Sequence, residues 1–136
     1  MFVSPTLTTS APSRGLSVVP WKPQLGAVVD VLAGNNPPKV RPGVVIEVDE
    51  ELILVCLVAY GTGTSPEQRR RQGDSSSPHV AVPKASAEGG SLALDKDTWF
   101  YPGERKSYEA TEVQPRPGAL PCPPLLLARL RRLHRP

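Results

Sequence analysis

"LILVCLVAY", residues 52–60, carries no charge, and its one polar tip is the hydroxyl of Tyr60. The run is bounded by the acids Asp49–Glu51 and by Gly61. It is too short to span a bilayer, and an apolar stretch of this length reads as a strand covered on both faces. Such a strand lies inside a sheet, so the fold depends on what flanks it. Upstream, "GAVVDVL" (26–32) and "GVVIEV" (43–48) are β-branched runs ending in turn residues. Downstream, "HVAVP" (79–83) stops at a proline, and "SLALDKDTWFYPG" (91–103) is a strand candidate ending at Pro102-Gly103. "KASAEGG" (84–90) reads as a turn, and "ERKSYEATEV" (104–113) fits either a short helix or a last strand.

The punctuation agrees with this. The chain has 17 prolines and 11 glycines in 136 residues, which favours short strands and turns over long helices. The expected fold is mainly all-β, a small SH3-like barrel of five to six antiparallel strands with one or two short helices. Residues 1–20 read as a flexible Ser/Thr/Pro-rich arm, with an organelle transit segment as the alternative. Residues 21–113 form the barrel domain, and 114–136 a proline-rich, basic tail containing the amphipathic stretch "LLLARLRRLHRP".

The formal net charge of +3 hides an uneven distribution. All 13 acids lie between Asp30 and Glu112, whereas only ten bases lie between Lys22 and Glu112, so the body is net −3. The remaining basic residues, Arg14, Arg116, Arg129, Arg131, Arg132 and Arg135, sit in the two ends. A polyanion would therefore be met by local clusters, not by a broad basic face. Two cysteines, Cys56 and Cys122, form no disulfide framework, and a cytoplasmic, reducing setting is expected. The N-terminal stretch lacks the charged and apolar regions of a secretory signal. No membrane association, metal or cofactor is expected: the histidines, His79 and His134, have no second ligand at metal spacing, and no phosphate-cradling glycine motif opens a helix.

What remains is a set of polar residues at strand ends. Arg41 stands in the loop 35–42, stiffened by Pro37, Pro38 and Pro42, leading into the second strand. Tyr60, Thr62 and Thr64 close the third, and His79 opens the fourth. Loops on one edge of an antiparallel sheet converge. An arginine fork beside hydroxyls and an imidazole suits a phosphodiester: the fork stabilises charge on phosphorus while a hydroxyl or imidazole moves a proton. The alternative makes Arg41 a solvated or salt-bridged loop residue and His79 a strand cap. The run Arg69, Arg70, Arg71 lies in a long polar loop, 61–78, as a set of RNA-backbone contacts or as a solvated charge run.

In order and pattern, "GAVVDV" (26–31), "RPGVVIEV" (41–48), "LILVCLVAY" (52–60), "HVAVP" (79–83) and "LALDKDTWF" (92–100) resemble the PemK/MazF family of toxin endoribonucleases. The resemblance covers roughly residues 22–113. It implies a barrel that pairs as a homodimer, cleaves single-stranded RNA without metal by attack of the ribose 2′-hydroxyl, and is silenced by a cognate antitoxin. Its catalytic arginine falls on Arg41. The family's third strand usually ends in Thr or Ser, where this chain has Ala59-Tyr60, so the hydroxyl either comes from Thr62 or Thr64 or is lost. The alternative is a catalytically weakened barrel acting as an RNA- or peptide-binding module. A homodimer would bury part of the aromatic cluster around Trp99, and 61–78 would form a mobile, partner-binding rim.

Overall fold

The computed structural model describes residues 21–34, 37–49, 55–73 and 78–133. The arm at 1–20, the start of the apolar run at 52–54, part of the polar turn at 49–51, and His134 lie outside the described residues. The chain is mainly β. One six-stranded antiparallel sheet has the order β4-β5-β3-β2-β1-β6. The strands are β1 (Val28–Ala33), β2 (Lys39–Val48), β3 (Val55–Thr62), β4 (Val80–Val82), β5 (Thr98–Glu109) and β6 (Gln114–Pro115). Among the described residues three short α-helices accompany them: α1 (Pro66–Arg71), α2 (Ala87–Ser91) and α3 (Pro124–Leu133).

β3 lies between β2 and β5 and is covered on both sides. Cys56 and Val58 join one apolar cluster with Val29, Val31, Val45, Tyr108 and Val113. Ala59 joins a second with Val28, Val44, Ile46, Phe100, Leu126 and Leu130. Side chains alternate between the faces of a strand, so one uncharged run supplies both clusters. The second cluster is closed by α3, whose Leu126 and Leu130 are buried.

The sheet is curled but its ladder is not closed into a barrel: β4 and β6 are its two edges. The curl follows from one bond. The Tyr108 hydroxyl on β5 donates to the Leu32 carbonyl on β1 at 2.8 Å, although β3 and β2 lie between. In a flat sheet those strands would stand about 14 Å apart, too far for a tyrosine side chain. The two ends are joined by Arg116, which follows β6. Its guanidinium donates to Asp30 Oδ1 on β1 at 2.6 Å and to the Ala93 carbonyl, ahead of β5, at 2.9 Å. Nε also donates to the Leu92 and Ala93 carbonyls at 3.2 and 3.1 Å. The fork thus ties β1, beside the β6 edge, to the segment between α2 and β5.

Several elements differ from the sequence expectation. Arg41 lies within β2, not in a loop, because β2 begins at Lys39 and pairs Arg41 with Val31. The stretch 61–78 contains α1. "KASAEGG" contains the start of α2, capped by Ser86, whose hydroxyl accepts from the Gly89 amide. β5 continues through Pro102-Gly103 to Glu109. Residues 114–133, read from composition as a tail, pair with β1 and pack α3 on the sheet.

Candidate functional site

Three strands present the same arrangement on one face. Val45, Gly43 and Arg41 alternate outward along β2. Cys56, Val58, Tyr60 and Thr62 do so along β3, and Tyr108, Lys106 and Glu104 along β5. Each row starts in the apolar cluster and ends in polar side chains. A cleft of about 760 Å³ opens there, lined by Arg41, Tyr60, Thr62, Thr64, Arg69, Glu104, Lys106, Tyr108 and Glu112, with Leu32–Gly34 and Pro38 along one wall.

Arg41 stands at the wall of this cleft. Its Nε donates to the Ala33 carbonyl at 3.3 Å, which fixes the plane of the fork. Gly34 has φ +97°, and a Cβ there would sit 3.2 Å from Arg41 Nη2, so a glycine gives the guanidinium its place. Among the described residues no carboxylate lies within ion-pair distance of Arg41.

Arg69 is placed by α1. Ser65 caps this helix: its hydroxyl accepts from the Gln68 amide at 3.2 Å, and its amide donates to Gln68 Oε1 at 3.0 Å. Pro66 occupies the first turn, where a missing N–H costs nothing. α1 buries no residue of its own. Arg69 carries its attachment: Nη2 donates to Glu104 Oε1 at 2.6 Å, and the guanidinium carbon lies 3.5 Å above the Tyr101 ring. The Tyr101 hydroxyl in turn donates to the Thr64 carbonyl at 2.7 Å, just before the helix. Arg69 Nε is buried without a hydrogen-bond partner among the described residues.

Glu104 is the meeting point of the cleft. Besides Arg69 it faces the hydroxyl of Tyr60. Burial first, and then the nearby carboxylate, push the Tyr60 phenol up to about 12. Tyr60 is therefore protonated at neutral pH. Burial also raises the Tyr101 and Tyr108 phenols. Thr62 is buried, and its hydroxyl oxygen accepts from the Thr64 amide at 3.1 Å, leaving the hydroxyl proton available. Lys106 Nζ lies 5.2 Å from the Tyr108 ring, and Glu112 Oε1 accepts from the Glu109 amide.

The cleft thus brings together Arg41, Tyr60, Thr62, Thr64 and Arg69. It does not include His79, which is exposed ahead of β4 with its ring centroid 5.9 Å from that of Tyr101. Arg70 and Arg71 also lie outside; both are exposed, and Arg71 pairs with Glu67 at 3.4 Å within α1. A helix turns successive residues by about 100°, so three adjacent arginines cannot all face one cleft. The sequence reading missed Glu104, Lys106, Tyr108 and Glu112. The signal was the alternation of "ERKSYE" (104–109), which becomes visible once that stretch is a strand. Among the described residues no group of His, Cys, Asp and Glu has the spacing to hold a metal ion, and no helix is long and apolar enough to cross a membrane. Both cysteines are free and buried, and burial pushes the Cys122 thiol up to about 12, which makes it inert.

No protein-family model matches the chain, and no curated protein matches it.

Proposed function

We propose that the cleft binds single-stranded RNA and cleaves it by attack of a ribose 2′-hydroxyl on the adjacent phosphate, without a metal, as a toxin-like endoribonuclease. One observation carries this reading. Arg41 is oriented through Nε by a backbone carbonyl and has no carboxylate partner among the described residues. It stands in a cleft that also holds threonine hydroxyls, a second arginine and a carboxylate. A fork held in place with no ion-pair partner among the described residues suits a group that gains negative charge during reaction. In this reading Arg41 binds the scissile phosphate, and Thr62 or Thr64 donates to a phosphate oxygen. The reading also carries the partners of its class: a second copy of the chain, a cognate antitoxin over the cleft, and action in the cytoplasm.

The test compares wild type with Arg41→Ala on a mixed-sequence single-stranded RNA, with a chelator present and at equal folded amounts. Loss of the fork should lower the cleavage rate roughly 100-fold to 1000-fold. Arg41→Lys should recover only part of that, since it keeps the charge and loses the fork. Equal rates for wild type and Arg41→Ala would remove Arg41 from the mechanism.

A second reading, an RNA- or peptide-binding module without cleavage, is favoured by the high pKa of Tyr60, which keeps its phenol from acting as a base at neutral pH. Wild type that binds the RNA and leaves it intact would select this module.

A further inference from the structure

The cleavage reading leaves open which group removes the 2′-hydroxyl proton, and the cleft narrows the choice. Tyr60 and Tyr108 hold their protons at neutral pH, and the Tyr108 hydroxyl is already spent on the Leu32 carbonyl. The threonines are not bases, and His79 is not among the residues that line the cleft. Two carboxylates remain. Glu112 caps the turn that ends β5, where its Oε1 holds the Glu109 amide, and among the described residues it has no cationic side chain in ion-pair contact to aim it. Glu104 projects from the middle of β5, between Arg69 of α1 and Tyr60 of β3, on the face that also carries Arg41. A carboxylate offers about four lone-pair sites. Arg69 occupies one and Tyr60 stands beside the carboxylate, which leaves lone pairs for a further donor.

We propose that Glu104 is the base of this cleft, taking the proton from the attacking 2′-hydroxyl, and that Arg69 is a positioning residue that fixes the Glu104 carboxylate. The assignment rests on the cleavage reading and deepens it. As the 2′-O–H bond breaks, its proton passes to a Glu104 oxygen and its electron pair forms the 2′-O–P bond. The P–O5′ bond then breaks, and its electron pair leaves with the 5′-oxygen, which takes a proton from water. Glu104 returns its proton to solvent. The products are a 2′,3′-cyclic phosphate and a 5′-hydroxyl end, with no oxidation or reduction. The charged and titratable groups facing Glu104 are Arg69 and Tyr60, with Tyr101 close by. Arg41, Lys106 and Glu112 line the same cleft from β2, from β5 and from the turn after β5.

Arg69 matters through aim. Stacked on Tyr101 and bonded to Glu104, it holds the carboxylate at one angle while keeping α1 on the body. A role in stability alone would change the amount of folded protein, not the rate at equal folded amounts.

The experiment uses the full chain and a labelled mixed-sequence oligoribonucleotide with a chelator. It measures cleavage rate, RNA affinity by anisotropy, and the chemistry of the new 3′ end. Glu104→Gln should lower the rate by about 100-fold to 10,000-fold. Its RNA affinity should stay within about threefold of wild type, since only the transition state is affected. Glu104→Asp, which keeps the charge one methylene short, should fall between wild type and Glu104→Gln. Arg69→Met should lower the rate, and Arg69→Lys should restore part of it. If wild type cleaves and Glu104→Gln cleaves equally well, Glu104 is not the base, while the cleavage reading stands. Should Glu104→Gln fail to fold, a Glu104→Ala rate equal to wild type overturns the assignment in the same way. A wild type that never cleaves overturns both.

Discussion

Arg116→Met removes the fork that joins the two ends of the curled sheet while keeping an unbranched side chain of similar reach. The wild-type side chain is only 11% exposed, and it serves the carbonyls of Leu92 and Ala93 and the carboxylates of Asp30 and Asp95. Asp95 is 92% exposed and would return to water at no cost. The two carbonyls and Asp30, whose side chain is 25% exposed, would lose their donor in a confined place. Each buried acceptor left bare costs about 1–3 kcal/mol, and partial access of water to Asp30 keeps its share low. The total is roughly 3–5 kcal/mol, in line with removing one partner of a buried ion pair. At about 4 °C per kcal/mol the melting temperature should fall by roughly 10–20 °C. Urea unfolding followed by tryptophan fluorescence should show a lower midpoint with an unchanged slope, which marks a change in stability and not in compactness. Arg116→Lys should recover little, because a point charge cannot serve carbonyls and carboxylate together. A loss of less than about 1 kcal/mol in Arg116→Met would refute the clasp and leave the curl to the apolar clusters alone.

Two further outcomes follow from local geometry. Ala93 has φ 54°, in the left-handed region, so Ala93→Gly should raise stability by about 0.5–1 kcal/mol, after the added chain entropy of glycine is subtracted from the relieved strain, and Ala93→Val should lower it; urea midpoints decide. Tyr60 titrates near 12 in the folded chain and near 10 when unfolded. The unfolded state therefore loses its proton first, and stability should fall as pH rises from 10 towards 12. Tyr60→Phe should flatten part of that fall in pH-dependent denaturation, with Tyr101 and Tyr108 contributing the rest. Parallel slopes in the two proteins would contradict the shift.

The sheet was legible where one residue type repeats. The run at 55–60 announces a central strand because no charge interrupts it, and the β-branched runs beside it announce its neighbours. α1 was legible too and was passed over: Ser65-Pro66 followed by Gln68 is a capping box with proline in the first turn, but five polar residues after the proline present no apolar stripe. Arg41 was recognisable as the cleft's arginine, while its place inside β2 was hidden by Pro42. The clasp of Arg116 could not be read, because its partner Asp30 lies 86 residues away and only the curled sheet brings them together. The same holds for Glu104: its partner Arg69 lies 35 residues off, in a helix not expected.

The most instructive miss concerns Pro102-Gly103, which looked like the end of a strand. β5 pairs with β3 as Phe100 with Gly61 and as Arg105 with Ala59, so residues 101–104 of β5 stand against Tyr60 alone. The strand bulges there, and a proline in a bulge forfeits no ladder bond. The bulge also builds the cleft. In a regular strand, residues three apart face opposite sides, so Tyr101 and Glu104 could not both meet one side chain. Here Arg69 stacks on Tyr101 and bonds Glu104 at once. The extra residues turn Glu104 onto the face that carries Tyr60 and Arg41, and leave Tyr101 buried beneath α1 as the surface on which Arg69 rests. The irregularity that masked the strand is therefore the feature that gathers an arginine, a tyrosine and a carboxylate from three different elements at one point. The candidate chemistry sits where the pleat is broken because an unbroken pleat could not assemble it.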